Sequence, residues 1–171
     1  MREILFRGKA INRISGRQYR TNYKNGDWVY GLIERLYDDD FPNIPATMRN
    51  TDGVSDIDID FATVGQYTGL TDKNGKKIFE GDIVQLNFEG TSYNHDENGR
   101  RYEEDYYGYK IGVVAFGSNG TFLNAAYGEL WVNGEDVEGW IPTRRSRIAG
   151  YRSEAIGNIH DNPELLKGGA E

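Results

Sequence analysis

The sequence contains no cysteine, which excludes disulfide bridges, thiolate metal sites and thiol catalysis. It also contains no run of about 18 apolar residues, the length that a membrane-spanning helix needs. The 171-residue chain has 27 acidic and 20 basic residues and a net charge of −7, so it lacks the basic excess typical of nonspecific nucleic-acid binders. These absences predict a protein of the reducing cytoplasm with no membrane segment.

Motifs for catalysis are equally scarce. The two histidines, His95 and His160, show no serine or aspartate arrangement of the triad type, and both are expected to be solvent-exposed or structural. The phosphate-binding pattern G-x-x-x-x-G-K-[S/T] is absent as well. We therefore predict a non-enzymatic protein with no catalytic residues and no cofactor.

Turn-forming dipeptides are the strongest local signal that is present. Asn-Gly occurs five times, and both residues tolerate the positive φ that tight hairpin turns require. Most of the flanking segments are rich in β-branched and aromatic residues, which predicts strands on either side. The five pairs are Asn25-Gly26, Asn74-Gly75, Asn98-Gly99, Asn119-Gly120 and Asn133-Gly134.

Helix signals are few. Asn162-Pro163-Glu164 places a capping residue, a proline and an acid at the start of an apolar pair, which predicts one short C-terminal helix. Short strands, hairpin turns and little helix together predict a mainly β chain that forms a small barrel or sandwich. A change in composition near residue 65 divides the chain into an N-terminal β subregion, 1–65, and a second subregion, 66–171. We expect the two to fold as one cooperative unit.

A long central block carries a family resemblance. From Gly65 the chain reads Gly-Gln-Tyr-Thr-Gly-Leu-Thr-Asp-Lys-Asn-Gly-Lys-Lys-Ile-Phe-Glu-Gly-Asp-Ile-Val, which resembles the signature of the YopX family of bacteriophage and prophage proteins. The segments 2–7 and 156–166 resemble the first strand and the closing strand and helix of that family.

The resemblance implies an N-terminal β-hairpin region followed by an SH3-like barrel, in a protein acting in the cytoplasm of a bacterial host. It implies no activity and no catalytic residue. The stretch 89–109 departs from the family pattern and is interpreted as an enlarged hairpin. Gly81 and Asp82 fit a structural role, in which the glycine permits a tight bend and the aspartate binds nearby amides.

Three aspartates alternate along one predicted strand. Asp56, Asp58 and Asp60 would share one strand face, where carboxylates are able to bind a divalent cation. Phe61 and Tyr67 stand where an EF-hand needs glycine and glutamate, so that motif is absent. A solvated edge strand is the simpler interpretation, and we predict no metal site.

Two further clusters are candidates for binding. Four tyrosines follow the Asn98-Gly99 turn among charged residues, and tyrosine is enriched at protein interfaces: Tyr102, Tyr106, Tyr107 and Tyr109. A dense arginine cluster with nearby aromatic residues offers charge and stacking for a nucleic acid: Arg144, Arg145, Arg147, Trp140 and Tyr151.

These clusters support three hypotheses about function. The first is a phage- or prophage-encoded interaction protein whose enlarged hairpin engages a host or phage protein, or a second copy of the chain. The second is a β-barrel protein that binds nucleic acid, which the negative net charge disfavours. The third, a metal-assisted hydrolase built on the three aspartates, needs ligands to converge from other strands.

Overall fold

The computed structural model describes residues 3–11, 23–35, 46–54 and 57–168, and these residues lie mostly in antiparallel β-strands. The strands form two sheets, which confirms the prediction of a mainly β chain. The chain divides into two compact units, Met1–Gly69 and Leu70–Glu171, whereas the composition placed the division near residue 65. No helix in the described ranges is long and apolar enough to cross a membrane.

The first unit is built from four strands, each hydrogen-bonded on both sides. β1 (Phe6–Ala10) pairs with β2 (Trp28–Arg35) and also with β4 (Ile57–Thr71), while β3 (Ala46–Asn50) pairs with β2 and β4. The last two residues of β4 belong to the second unit. Apolar side chains on the inner faces of these strands form the core, which contains Ala10, Val29, Ala46, Met48, Ile57 and Ile59.

The second unit contains the remaining strands. After β5 (Lys77–Phe79), which continues the first sheet beside β4, the chain forms β6 (Asp82–His95), β7 (Arg101–Gly117), β8 (Gly120–Val132), β9 (Glu135–Asp136), β10 (Arg145–Arg147) and β11 (Ser153–Asn158). The second sheet has the order β10-β8-β7-β6-β11, and β9 pairs with β8. Its core contains Ile78, Val84, Leu86, Val114, Leu123 and Ala155.

The Asn-Gly turns form as the sequence predicts. All five glycines of these pairs have a positive φ, from 77° at Gly99 to 137° at Gly120. The turn at Asn98-Gly99 joins β6 to β7, and the residue stretch 89–109 lies within this hairpin. The pairing of β6 with β7 runs without a break from Ile83–Val113 to His95–Arg101, so the hairpin has a single register along its length.

Two of these turns share the sequence pattern Asp-x-Asn-Gly followed by a basic residue. In the first, Asp72 Oδ1 accepts hydrogen bonds from the backbone N–H groups of Asn74 (2.8 Å) and Lys76 (2.9 Å). In the second, Asp96 Oδ1 accepts the equivalent bonds from Asn98 (2.9 Å) and Arg100 (2.8 Å). Asp96 is exposed at the hairpin tip, whereas Asp72 is buried, so the same turn occurs in two solvent environments.

Asp72 makes a third bond that Asp96 lacks. Its Oδ2 accepts the backbone N–H of Ala155 in β11 at 3.1 Å, across 83 residues of sequence. Burial alone would raise the pKa of this carboxyl, but the backbone donors of Ala155, Lys76 and Asn74 and the charge of Lys76 lower it below 3.8. The ionised carboxylate therefore joins the turn before β5 to the last strand.

The Gly81-Asp82 pair of the family signature has a structural role. Gly81 has a φ of 80°, and its N–H donates to the carbonyl of Val114 at 3.0 Å. The carboxylate of Asp82 is buried and accepts the N–H of Phe79 at 2.7 Å. The pair thus fixes the bend between β5 and β6.

The prediction of a C-terminal α-helix is wrong, because the segment forms a different type of element. Pro163–Leu166 forms one 3₁₀ turn, and the side chain of Asn162 makes no capping hydrogen bond. Four residues are too few to close successive i to i−4 bonds, and Gly168, with a φ of 67°, leaves the right-handed helical region soon afterwards. Proline does occupy the first turn, so the start signal was correct and the length was not.

Candidate functional site

Side chains on the long hairpin divide between two faces, because successive residues of a strand point in opposite directions. Directly paired residues share a face, and the strand register places Glu89, Tyr107, Trp131 and Asp136 in one row across β6, β7, β8 and β9. We call the face that carries this row the outer face. The row has two aromatic rings at its centre and a carboxylate at each end.

An open groove of about 380 Å³ lies on the outer face. We call it the aromatic groove, and its main lining side chains are Glu89, Tyr107, Tyr109, Trp131, Tyr151 and Arg152. The rings of Tyr107 and Trp131 stack with centroids 5.3 Å apart and planes inclined by 12°. Tyr109 also contacts Trp131, with ring centroids 6.2 Å apart and planes inclined by 39°. Contacts among these three rings restrict their movement, so part of the groove has a packed aromatic lining.

Tyr109 is held in its neutral form. Burial raises its pKa to about 12, and a hydrogen bond to Glu129 together with the negative charge of that carboxylate acts in the same direction. The phenol therefore stays a donor to Glu129 at neutral pH. This bond orients the Tyr109 ring at the edge of the groove.

A β-bulge explains why Trp131 reaches the outer face. Ile111 pairs with Tyr127 and Gly112 pairs with Ala125, so Ala126 is an extra residue in β8. Leu123 lies in the core before the bulge. Trp131 is eight residues further along and would share the face of Leu123 in a regular strand, but the bulge moves it to the opposite face.

The inner face of the hairpin continues the core face of the sheet. Phe88 packs on Trp140 with ring centroids 5.6 Å apart, and the ammonium of Lys110 lies 5.3 Å and 5.8 Å from those two centroids. Lys110 donates hydrogen bonds to the hydroxyl groups of Thr143 (2.8 Å) and Ser146 (3.0 Å). Burial lowers the pKa of Lys110. We interpret this cluster as a polar anchor that fixes the segment before β10 against the sheet.

The four predicted interface tyrosines do not form one patch. Tyr107 and Tyr109 lie on the outer face, whereas Tyr102 and Tyr106 lie on the inner face, because their positions in β7 alternate. Tyr106 is half-buried beside Phe88, at a centroid distance of 6.5 Å. Tyr102 is 42% exposed near the hairpin tip, against 48% for Tyr107.

The predicted nucleic-acid residues are similarly divided. Arg144, Arg145 and Arg147 are exposed at and before β10. The guanidinium of Arg145 lies 3.9 Å from the ring centroid of Phe122. Trp140 is half-buried in the Lys110 cluster, and Tyr151 lines the aromatic groove, so neither ring lies in a stacking platform with the three arginines.

The aspartates considered for a metal are only partly described. Asp56 lies outside the described residues, while Asp58 and Asp60 occupy alternate positions of β4 on one face. Asp60 Oδ1 accepts the N–H of Ala62 at 3.0 Å. Among the residues that the structure describes, no group of three or more acidic or histidine side chains is arranged to hold a metal ion.

Sequence reasoning found the two outer tyrosines but missed Trp131, Glu89, Asp136 and Arg152. One signal was present, because Trp131 and Asp136 flank the Asn133-Gly134 turn symmetrically and a hairpin there pairs them. The face on which Trp131 lies cannot be predicted from simple alternation along β8, because the bulge at Ala126 changes it. Arg152 and Tyr151 enter the groove from a 3₁₀ turn before β11, which no local pattern predicts.

Comparison with known proteins gives a family but no activity. The family model described as YopX protein matches residues 18–167. No curated protein matches the chain. Among solved structures, the crystal structure of protein EF1440 from Enterococcus faecalis is similar at 22% identity, covering 96% of this chain and 99% of that one, with a TM-score of 0.42. That similarity is too distant to assign a fold or a function.

Proposed function

We propose that this chain, which belongs to the YopX family, is a non-enzymatic interaction protein that binds a protein partner through the aromatic groove. The observation that carries the proposal is the stacked pair of Tyr107 and Trp131 that lines an open groove. Aromatic side chains of this kind dominate the binding energy of protein interfaces, because they bury a large area and lose little conformational freedom.

The biological setting that we propose rests on the family resemblance. The protein would be encoded by a phage or prophage and would act in the cytoplasm of the bacterial host, in line with the absence of cysteine. Its partner would be a host or phage protein, with self-association as the alternative use of the same groove.

We also infer that the second unit is an SH3-like barrel. The support is its strand order, in which β6, β7 and β8 are successive antiparallel neighbours and a 3₁₀ turn, Gly150–Arg152, precedes β11, which returns to pair with β6. An experimental structure with these strands curved around one core would agree with the inference. A flat open sheet would contradict it.

The proposed function is tested by capture of tagged protein from bacterial lysate with and without nuclease. The test variant is Trp131→Ala, and the matched control is Tyr102→Ala, which removes an exposed ring from the other face of the hairpin. We expect a nuclease-resistant protein that co-purifies in stoichiometric amount, is lost with Trp131→Ala and is retained with Tyr102→Ala. Equal retention by both variants would contradict a role for the groove.

Nucleic-acid binding is the second proposal, favoured by the exposed arginines of the β10 region. Recovery of nucleic acid that nuclease removes, with loss after Arg144→Ala and Arg147→Ala, would support it. Light scattering on the purified protein is a separate measurement that tests self-association. A dimer that is lost with Trp131→Ala would identify a second copy of the chain as the occupant of the groove.

A further inference from the structure

The two ends of the row across the outer face are acidic. Glu89 lies beside Tyr107 at one end of the row and Asp136 beside Trp131 at the other, and three steps between neighbouring strands separate the backbone positions of the two acidic residues by about 14 Å. Both acidic side chains are exposed, and neither forms a salt bridge with another residue in the described part of the chain. The row therefore presents two carboxylates on either side of a pair of aromatic rings.

Aromatic rings on this face already accept cations from the chain itself. The guanidinium of Arg101 lies 4.1 Å from the ring centroid of Tyr93, and both residues lie on the outer face nearer the hairpin tip. The guanidinium of Arg152 lies 5.3 Å from the centroid of Tyr151, and both residues line the groove from the 3₁₀ turn before β11. Among the described residues, no lysine or arginine takes the corresponding position over Tyr107 or Trp131.

We propose that the aromatic groove recognises an arginine-bearing or lysine-bearing segment of a partner protein, with one cationic side chain over the Tyr107–Trp131 pair between Glu89 and Asp136. This inference rests on the proposed function and specifies the chemistry of the partner. A planar guanidinium fits the arrangement because it stacks on an aromatic face and hydrogen-bonds to carboxylates at its edges. The net charge of −7 on the chain favours approach of a basic partner.

Arg152 allows a test in which charge reversal should change the affinity in the opposite direction. It is a basic side chain of the same groove and comes from the 3₁₀ turn before β11, the strand that pairs with β6. On that side of the row it would repel a cationic ligand. Charge reversal at Glu89 or Asp136 should therefore weaken binding of a basic segment, and charge reversal at Arg152 should strengthen it. A groove that recognises only apolar groups would respond to neither change.

The experiment is fluorescence anisotropy with short fluorescein-labelled peptides on the full chain. One peptide alternates arginine with glycine and serine, and its counterpart has glutamate in place of each arginine. We expect the arginine peptide to bind, its affinity to fall about tenfold with Trp131→Ala, and to fall by a similar factor with Glu89→Lys combined with Asp136→Lys. Arg152→Glu should raise the affinity severalfold, and added salt should lower it.

Glu164→Lys is the matched charge control, because it reverses an exposed acid on the 3₁₀ turn at Pro163–Leu166 and should leave the affinity unchanged. The charge variants alter exposed side chains, so they remain informative if Trp131→Ala unfolds the hairpin. Equal binding of the two peptides, or no binding of either, would overturn the inference.

A captured protein that needs Trp131 but is indifferent to the charges of Glu89, Asp136 and Arg152 would overturn the inference and leave the proposed function intact. A Trp131-dependent dimer of the chain that displaces the arginine peptide would also overturn it, in favour of a second copy. Loss of both peptide binding and partner capture with Trp131→Ala, together with the two opposite charge effects, would support both proposals.

Discussion

The bond from Asp72 to β11 makes a specific prediction about stability, because the chain contains its own control. Replacing Asp72 by alanine leaves the backbone N–H of Ala155 buried without an acceptor, which costs about 1–3 kcal/mol. The same change weakens two turn hydrogen bonds, which water partly replaces at about 0.5–1 kcal/mol each. We therefore expect Asp72→Ala to lower the free energy of unfolding by about 3 kcal/mol.

Asp96→Ala removes the same two turn bonds at the exposed hairpin tip and should cost about 1 kcal/mol. The difference of about 2 kcal/mol between the two variants is the share of the buried Ala155 N–H. Urea unfolding of both variants, followed by circular dichroism and by tryptophan fluorescence, measures this difference. Equal costs for the two variants would refute the reasoning, because the long-range bond would then contribute nothing.

The effect of Asp72 should also depend on pH. Its pKa is lower in the folded chain than the ordinary 3.8, so the carboxylate contributes its full stabilisation above pH 3.8. That contribution is lost as the pH falls through the folded-state pKa, because protonation removes the charged acceptor. The difference between the wild type and Asp72→Ala should therefore be constant near neutral pH and shrink in acid. A difference that stays constant down to the acid transition would contradict this account.

Three further predictions concern other parts of the second unit and the coupling of the two cores. Tyr109 should titrate near pH 12 in NMR or ultraviolet titration, and Glu129→Gln should lower this pKa. Because the folded-state pKa is raised, the contribution of Tyr109 to stability should be lost as the pH rises from 10 to 12. Gly108→Ala should cost about 1–3 kcal/mol in urea unfolding, because an added Cβ would approach the carbonyl oxygen of Glu129 in β8 at 2.2 Å. Ile59→Ala and Leu123→Ala, in separate cores, should each cost about 2–5 kcal/mol and shift one shared calorimetric transition; two separate transitions would show that the chain is not one cooperative unit.

Local chemistry made the turns and the strand-rich character of the chain predictable. Asparagine and glycine at a turn act through their own backbone preferences, so the five Asn-Gly pairs needed no tertiary information. The bend at Gly81-Asp82 was predictable for the same reason, since the carboxylate of Asp82 bonds an amide three residues away. Family membership was recognisable from a long contiguous block and covers most of the chain.

The aromatic groove was not predictable to the same degree, because it depends on register across strands. The tyrosines of β7 looked like one cluster in sequence, yet alternation sends Tyr106 inward and Tyr107 outward. Tyr151 was grouped with the arginines by proximity in sequence, whereas the 3₁₀ turn before β11 brings it to the groove. The C-terminal segment showed a helix start signal, but the start does not set the length, which depends on the residues after Leu166.

The bulge at Ala126 separates the part of β8 that packs in the core from the part that lines the aromatic groove. Before the bulge, Leu123 packs in the core of the sheet, and after it Trp131 lines the aromatic groove on the outer face. Both residues have odd numbers, so they lie on opposite faces only because the bulge adds one residue between them. Deletion of Ala126 would remove the bulge and leave Ala125 opposite Gly112 and Tyr127 opposite Ile111, so Trp131 would stay on the outer face. Loss of the bulge with Ala126 retained would instead shift the pairing of β8 by one residue, turning Trp131 toward the interior and Leu130 toward solvent. The side of the sheet on which Trp131 lies is thus set by the pairing register of β8, which a slip of one residue would reverse and a deletion at Ala126 would preserve.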